Sequence, residues 1–309
     1  LTPIGNSVDE MWGNLLAGRH GFSLGSWFPG QTEDENVKAL VKDFDELRYM
    51  EKKELRRNDL FTQYAVFSAM EALKDSGTDF KDVDPYTLGV IVGSGLGGIL
   101  TLESEIEAYY HKGNNKVNVF TVPKMIPNMA AGVIAIRTGF KGGNHATVSA
   151  CASGTHAVGE AFHAIKNGYM TAAIAGGTEA CTTGFAFAGF NNMHAITRTT
   201  DVDRASIPFD KERSGFVLGE GSGMLVLEEL EHALARGAKI YAEIGGYGAT
   251  CDAHHETAPD PDGSGSAKAM EFAVKEAGLQ TADIGYINAH GTSTPINDRT
   301  ETAAIKRLF

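Results

Sequence analysis

One pattern occurs twice in the chain, 200 residues apart, and it limits the possible folds more than any other feature. Ala69–Gly77 is typical of a helix ended by glycine, and a short loop connects it to the apolar run Gly89–Gly93. Ala269–Gly278 leads in the same order to Gly285–Ala289. The same order of helix, loop, strand and glycine indicates a duplicated unit. The alternative is coincidence, because helices containing Ala-Met-Glu are common.

Strand-like and helix-like segments alternate along the whole chain, which predicts an α/β fold. The expected halves are residues 1–245 and 246–309. The chain begins with Leu1 and stops at Phe309 inside an apparent helix, so we expect a second half that is incomplete, in a longer protein trimmed at both ends. The predicted strands are Leu88–Val92, Ala146–Ala150, Ala172–Ala175, Gly223–Leu227, Lys239–Tyr247 and Ile284–Ala289.

The charge balance and the cysteine count exclude several functional classes. The 309 residues include 27 Lys and Arg against 39 Asp and Glu, which gives a net charge of −12. Such a chain is a poor general ligand for nucleic acid, whose phosphates need cationic partners. The three cysteines are far apart and form no Cys-x-x-Cys motif, which predicts a reduced, cytoplasmic protein. No apolar run approaches the ~18 residues of a membrane span, so no membrane contact is expected.

Cys151 is the strongest candidate for a reactive side chain. It stands between the predicted strand Ala146–Ala150 and a predicted helix that begins at Ala152. A thiolate at a helix N-terminus is stabilised by the helix dipole and by unpaired N–H groups. The alternative is an inert buried cysteine, which is the more common fate of this residue type. Cys181 and Cys251 lack this setting and are expected to be structural.

His290 directly follows the predicted strand Ile284–Ala289, and ligands bind beyond the carboxyl ends of strands in open parallel sheets. Two related halves could therefore bring His290 and Cys151 together. The alternative is a loop histidine with ordinary hydrogen bonds. The run Cys251–His255 superficially resembles a metal cluster, but it lacks a second ligand pair at zinc-like spacing, so no metal is expected.

Gly93–Gly98 matches the G-x-G-x-x-G pattern between a strand and a helix. A dinucleotide site also needs an acidic residue at a strand end about 20 residues later. The corresponding segment, 111–116, contains no acidic residue. The run therefore favours close backbone packing beside a pocket over NAD binding.

Lys52, Lys53, Arg56 and Arg57 have spacings that place them on one face of a predicted helix. Such a face could dock an acidic partner. The alternative is a solvated surface balanced by neighbouring glutamates.

Three separated motifs resemble the beta-ketoacyl-[acyl-carrier-protein] synthases. They are residues 148–154 around Cys151, residues 208–221 from Pro-Phe-Asp to Gly-Glu-Gly, and residues 288–294 around His290. Residues 252–259 are closer to the synthase II type than to synthase I. The resemblance covers essentially the whole chain. It implies a thiolase-like fold, with duplicated α/β halves in a five-layer αβαβα arrangement, and a homodimer without a cofactor.

The resemblance also implies a reaction, the decarboxylative Claisen condensation of fatty acid chain elongation. Cys151 would take the acyl group from acyl carrier protein, and His290 would stabilise the enolate formed from the malonyl group. The family would use further side chains in three roles: Leu96 and Phe190 for the acyl pocket, Thr257, Thr292 and Thr294 for the phosphopantetheine arm, and Lys53, Arg56 and Arg57 for docking of the carrier.

Two other functions stay open at this point. The family's second histidine, a lysine and a Gly-Phe loop would all follow Phe309, so the chain could be a catalytically incomplete fragment or a non-catalytic partner subunit. Cys151 argues against the partner subunit. The glycine run together with Cys151 leaves a cysteine-dependent NAD dehydrogenase as the remaining alternative.

Overall fold

The computed structural model describes residues 1–27 and 35–309. These residues form two units. Unit one comprises Leu1–Gly21, Ala39–Ala186 and Gly219–Ile240, and unit two comprises Phe22–Lys38, Phe187–Leu218 and Tyr241–Phe309.

The strands are β1 (Ser23–Ser26), β2 (Glu35–Ala39), β3 (Leu88–Gly93), β4 (Asn144–Thr147), β5 (Ala172–Ala180) and β6 (Leu218–Glu228). The α-helices are α1 (Val8–Leu16), α2 (Lys52–Leu55), α3 (Leu60–Asp75), α4 (Ile99–Lys112), α5 (Thr121–Met125), α6 (Met129–Thr138), α7 (Ser153–Lys166), α8 (Gly184–Asn192), α9 (Leu230–Ala235), α10 (Ser264–Glu276) and α11 (Pro295–Leu308).

The sheet of unit one has the order β6-β5-β3-β4. Strand β3 pairs in parallel with β4 and β5, whereas β6 runs antiparallel to β5. All six residues of β3 are buried, as expected for a central strand covered on both faces.

Side-chain alternation along the strands divides the core of unit one between the two faces of the sheet. Val90 and Val92 belong to a cluster that includes residues of α3 and α6. Ile91 belongs to a second cluster with Ala157 and Ala161 of α7. Unit one is therefore a three-layer α/β/α arrangement. Helices α3 and α6 contribute to the cluster on one face of the sheet, and α7 contributes to the cluster on the other face.

Unit two contains the antiparallel pair β1–β2, the helices α10 and α11, and most of α8. The ring of Trp27 stacks on Phe187 with centroids 5.1 Å apart. A β-carbon added to Gly246 would lie 2.2 Å from the carbonyl oxygen of Ala273, so this stretch of chain lies directly on α10.

The predicted strands Lys239–Tyr247 and Ile284–Ala289 are wrong, since neither segment forms a strand. Apolar alternation shows which face a strand could bury, but a strand also needs a neighbour to complete its hydrogen-bond ladder. The helical part of the repeated pattern is present in both places, as α3 and α10.

Within the described ranges, no helix is both long and apolar enough to cross a lipid bilayer.

Candidate active site

Cys151 lies on a tight connection between β4 and α7. One 3₁₀ turn, Ala150–Ala152, separates the strand from the helix, and Ala150 has a φ of +52°, a value that costs a non-glycine residue free energy. The Ser153 hydroxyl stabilises the turn by donating to the Ala150 carbonyl oxygen at 2.7 Å and accepting from the Ser149 N–H at 2.9 Å. The turn presents Cys151 as an exposed residue before the first turn of α7.

Glycines allow this turn, which we call the cysteine elbow (residues 149–153), to approach the sheet closely. A β-carbon on Gly93 would lie 2.2 Å from the backbone carbonyl carbon of Ser153. One on Gly177 would lie 3.0 Å from the α-carbon of Gly154. Gly93 and Gly177 face each other across β3 and β5. The expectation that glycine serves close packing is confirmed here.

The glycine run after β3 is occupied by a carboxylate of the same unit. Glu179 of β5 accepts the N–H of Gly95 at 2.6 Å, the N–H of Leu96 at 3.2 Å and the hydroxyl of Ser94 at 3.1 Å. In a dinucleotide site, such N–H groups would bind a pyrophosphate. Glu179 already uses two of them, so the turn lacks the open anion cradle that NAD binding requires.

The other two cysteines differ from Cys151. Cys181 is buried at the end of β5, and burial, aided by the nearby charge of Glu179, raises the pKa of its thiol to about 12. Cys181 is therefore unreactive near neutral pH. Cys251 is exposed and lies in irregular chain, and unlike Cys151 it is not followed directly in the sequence by a helix.

His290 is an exposed residue on a loop before α11. Glu301 of α11 fixes its backbone, accepting the N–H of His290 at 2.6 Å and the N–H of Gly291 at 2.9 Å. Gly291 has a φ of +52° and lies close to Phe209, since a β-carbon there would be 3.5 Å from that ring. The loop direction at His290 is thus determined by α11 and by the chain around Phe209.

Asp298 of α11 holds the rest of this loop, which we call the histidine loop (residues 290–294). Only 1% of Asp298 is exposed, and its carboxylate accepts the N–H of Phe209 at 2.7 Å and the N–H of Ser293 at 3.2 Å. Arg213 lies 3.4 Å from this carboxylate and donates to the carbonyl oxygen of Thr294 at 3.2 Å. The hydroxyls of Thr292 and Thr294 are 2.8 Å apart.

The remaining predicted binding residues lie at separate places. Leu96, in unit one, is 41% exposed on the turn beside the cysteine elbow. Phe190, in unit two, packs edge-on against Phe216 with centroids 5.5 Å apart. Thr257 is exposed in the same unit, and its N–H donates to His255. Unit one therefore brings Leu96 near Cys151, and unit two places Thr292 and Thr294 on the loop of His290.

The four basic residues do not share one helix face as predicted. Helix α2 covers only Lys52–Leu55, so Arg56 is its C-cap and Arg57 follows its end. Short helices are marginally stable, and four residues cannot align side chains spaced over six positions. All four side chains are exposed, Lys53 pairs with Glu51 at 2.9 Å, and Arg57 lies over the Phe120 ring at 5.0 Å.

Among residues 1–27 and 35–309, no group of three or more His, Cys, Asp or Glu side chains is placed to hold a metal ion.

Comparison with known proteins agrees with this geometry. The family model "Beta-ketoacyl synthase, N-terminal domain" matches residues 1–233, and "Beta-ketoacyl synthase, C-terminal domain" matches residues 241–309. The 3-oxoacyl-[acyl-carrier-protein] synthase 2 of Synechocystis sp. is 47% identical over 310 residues, an alignment that covers all of this chain and 74% of that protein.

The chain belongs to the beta-ketoacyl synthase family.

Solved structures of beta-ketoacyl synthase relatives share the fold. The ishigamide ketosynthase/chain length factor gives a TM-score of 0.90 at 34% identity, covering 99% of this chain and 75% of that one. A type II polyketide synthase acyl-carrier protein in complex with its ketosynthase gives 0.87 at 29% identity, covering 99% of this chain and 75% of that one. The predicted thiolase-like α/β fold is therefore confirmed, as is the predicted enzyme class, a beta-ketoacyl synthase with acyltransferase chemistry.

Sequence reasoning missed the side chains that hold the two loops of this beta-ketoacyl synthase. Glu179 is the one acidic residue of β5, and a charge in an otherwise small and apolar strand is a signal that could have been used. Asp298, Glu301 and Arg213 gave no comparable signal. Polar residues on amphipathic helices and loops are normally solvated, and partners such as Gly291 for Glu301 and Phe209 for Asp298 are 10 and 89 residues away in the chain.

Proposed function

We propose that this beta-ketoacyl synthase condenses an acyl group held on Cys151 with a malonyl group carried by acyl carrier protein, in the elongation of fatty acids. The observation that carries the proposal is the cysteine elbow, which exposes a thiol at the N-terminus of α7. That position stabilises a thiolate through the helix dipole.

The first step is a thioester exchange. The Cys151 sulfur attacks the carbonyl carbon of the acyl carrier thioester, the bond to the carrier's sulfur breaks, and the carrier leaves as a thiol. The acyl-enzyme keeps the growing chain in place while the second substrate arrives. The rigid packing of Gly93 and Gly177 against the elbow keeps the sulfur in one position during the exchange.

The second step forms the carbon–carbon bond. The malonyl thioester loses carbon dioxide, and the electron pair of the broken bond forms an enolate. The enolate carbon attacks the acyl carbonyl and expels the Cys151 thiolate, giving a chain two carbons longer. A neutral imidazole at His290 donates a hydrogen bond to the thioester oxygen as its negative charge develops.

Binding roles follow from where the side chains lie. Thr292 and Thr294, with hydroxyls 2.8 Å apart on the histidine loop, suit the amide and hydroxyl groups of a phosphopantetheine arm, with Thr257 near its entrance. Leu96 and Phe190 are assigned to the acyl chain. The exposed cations of Lys53, Arg56 and Arg57 are assigned to an acidic carrier surface, the kind of partner named in the ketosynthase complex described above.

The wider organisation is also part of this proposal. Residues 1–245 form the half that carries the cysteine, and residues 246–309 begin the half that carries the histidine. Two copies of the chain associate as a homodimer. The three cysteines form no disulfide, in keeping with a reducing cytoplasm.

Acylation of the purified protein tests the proposal. The chain is mixed with an acyl carrier thioester, and the modified residue is located by mass spectrometry. We expect one acyl group on Cys151, and none after Cys151→Ala. Cys251→Ala is the matched control, because Cys251 is also exposed but does not stand on a strand-to-helix turn.

Acylation at Cys251, or no acylation in protein that unfolds cooperatively, would contradict the proposal. The second outcome would instead support a non-catalytic subunit or an incomplete fragment.

A further inference from the structure

Glu179 is a half-buried acidic residue that the proposed reaction does not use. One carboxylate oxygen accepts the N–H groups of Gly95 and Leu96, and the other accepts the Ser94 hydroxyl. The Ser94 oxygen in turn accepts the N–H of Gly97 at 3.0 Å. One side chain thereby satisfies most of the polar groups in the turn formed by residues 94–97.

The electrostatics of Glu179 are unfavourable. Burial raises the pKa of its carboxyl group, although the N–H and O–H donors of the turn oppose that rise. Its hydrogen-bond donors are neutral, and no lysine or arginine in the described part of the chain forms an ion pair with it. Withdrawing a carboxylate from water without a cation beside it is costly, which favours a role for Glu179 in the geometry of the turn over one in stability.

The turn that Glu179 holds lies against the cysteine elbow. A β-carbon on Gly95 would lie 2.9 Å from the Glu179 carboxylate and 3.6 Å from the carbonyl oxygen of Ala150, the residue before Cys151. Leu96, the next residue, leaves 41% of its surface exposed. The apolar side chain of Leu96 is therefore partly exposed close to the Cys151 thiol, on a turn whose position depends on the Glu179 carboxylate.

We propose that Glu179 is a positioning residue for acyl transfer: the reach of its side chain places Leu96 beside Cys151 and so determines which acyl lengths are transferred. This inference rests on the proposed function, because it assumes that Cys151 accepts the acyl group. It makes Glu179 act through the turn, without contact to the reacting atoms.

Two substitutions distinguish the effect of the length of the Glu179 side chain from the effect of its charge. Glu179→Gln keeps the length of the side chain: its amide oxygen can accept the N–H groups of Gly95 and Leu96 while its amide nitrogen donates to Ser94. Glu179→Asp keeps the charge but is one methylene shorter, so it cannot reach the same three groups. If geometry matters, the neutral variant resembles the parent and the charged one does not.

Glu220→Asp is the matched control. Glu220 lies opposite Ala180 in the β5–β6 ladder and is another acceptor of several bonds, from the Tyr64 hydroxyl at 2.8 Å, the Val41 N–H at 3.2 Å and the Thr182 hydroxyl. In the described part of the chain, it forms no hydrogen bond with residues 94–97. Glu220→Asp therefore removes hydrogen bonds from a carboxylate in the same region, as Glu179→Asp does, but leaves the position of Leu96 unchanged.

Two measurements are made on each variant. Hydrogen exchange reports the protection of the Gly95 and Leu96 amides, and the rates of Cys151 acylation by butanoyl and dodecanoyl carrier thioesters give a length preference. For Glu179→Asp we expect exchange at these amides to rise about tenfold and the ratio of the two acylation rates to change about tenfold. Glu179→Gln and Glu220→Asp should keep the parental ratio, and alkylation of Cys151 by iodoacetamide should stay within about twofold in all variants.

Several results would overturn the inference. Equal loss of both acylation rates in Glu179→Asp, or the same change of ratio in Glu220→Asp, would leave Glu179 with a purely structural role. If Glu179→Asp does not fold, Ser94→Ala decides, because it removes the donor to Glu179 and the acceptor for Gly97: an altered ratio supports the inference and an unaltered ratio contradicts it. A parent protein that is not acylated contradicts the proposed function itself, whereas an acylated parent with unaltered variants contradicts this inference alone.

Discussion

The turn beside Cys151 and the loop that carries His290 are built alike but stabilised differently. In each, one carboxylate accepts two backbone N–H groups: Glu179 takes those of Gly95 and Leu96, and Asp298 takes those of Phe209 and Ser293. Asp298 also has an arginine 3.4 Å away, whereas the donors to Glu179 are all neutral.

This difference matches the strain that each region contains. In the turn of unit one, the left-handed conformation falls on Gly97, at a φ of +63°, where it costs little. In unit two, Ser293 and Phe209 both have a φ of +66°, which costs non-glycine residues about 1–3 kcal/mol each. The Asp298–Arg213 pair binds the segments around Phe209 and Ser293 and can hold these strained residues in place. The turn held by Glu179, which has no cation beside it, has glycine at its left-handed position.

The largest predicted effect comes from removing the paired carboxylate. Asp298→Ala leaves Arg213 without its carboxylate partner and the N–H groups of Phe209 and Ser293 without an acceptor. We expect the free energy of unfolding, measured in urea, to fall by about 3–5 kcal/mol.

Glu256→Ala is the control for that change, since its side chain is 93% exposed and only 3.8 Å from His255. It should alter the free energy of unfolding by less than about 0.5 kcal/mol. A loss below about 1 kcal/mol for Asp298→Ala would show that the paired carboxylate does not hold the histidine loop.

The next prediction concerns the cysteine elbow of unit one, which is held by close backbone packing and not by a charged pair. Gly93→Ala puts a β-carbon 2.2 Å from the Ser153 backbone, which cannot move without displacing α7. We expect a loss of about 1–3 kcal/mol in unfolding free energy and slower acylation of Cys151.

Gly132→Ala is the matched substitution, because Gly132 lies within α6 and its new β-carbon would meet only the Met129 sulfur, at 4.0 Å. It should stabilise the protein by about 0.5–1 kcal/mol. Equal effects of the two substitutions would mean that the elbow yields and is not rigidly packed.

The structure also shows which features could be predicted from the sequence. Strand β3 was predictable because a short apolar run between turn residues is typical of a buried parallel strand, and the cap of α1 because Ser7 precedes an acidic first turn. The Ser7 hydroxyl accepts the Glu10 N–H at 3.1 Å, and the Glu10 carboxylate accepts the N–H of Asn6 at 2.8 Å. Local patterns of this kind depend only on neighbouring residues.

The features that the sequence did not predict correctly depend on partners that are distant in the chain. The segments 239–247 and 284–289 have strand-like composition, but composition does not supply the neighbouring strand. The bonds from Phe209 to Asp298 and from Gly95 to Glu179 span 89 and 84 residues, and no local pattern encodes them. The site residues Cys151 and His290 were easier to select because their chemistry singles them out, whereas the groups that hold them are ordinary acids.

A third prediction uses pH to sharpen the contrast between paired and unpaired carboxylates. Burial raises the pKa of Glu179; burial also acts to raise that of Glu228, but Arg236 and His232 outweigh it and lower the pKa. The folded state therefore favours protonated Glu179 and ionised Glu228. Stability from Glu228 is present above the ordinary glutamate pKa and is lost as pH falls through the lowered value; for Glu179 the folded state loses stability as pH rises through the raised value.

Urea unfolding of the parent, Glu179→Gln and Glu228→Gln between about pH 3 and about pH 7 measures both effects. The parent's advantage over Glu228→Gln should grow as pH rises, and its advantage over Glu179→Gln should shrink. Each unit of pKa difference corresponds to about 1.4 kcal/mol. Slopes of the same sign would contradict the assignment of a cation to one carboxylate and not to the other.

The smallest predicted effect asks whether a hydroxyl on the histidine loop has a structural as well as a binding role. Thr294 is the N-cap of α11, and its hydroxyl accepts the N–H of Asn297 at 3.3 Å while lying 2.8 Å from that of Thr292. Thr294→Ala should lower the free energy of unfolding by about 1 kcal/mol, and Thr294→Ser should restore it, because serine caps equally well. If Thr294→Ala weakens acyl carrier binding but leaves stability unchanged, the hydroxyl serves the ligand alone, and unit two positions its loop through Asp298 and Glu301 without the cap.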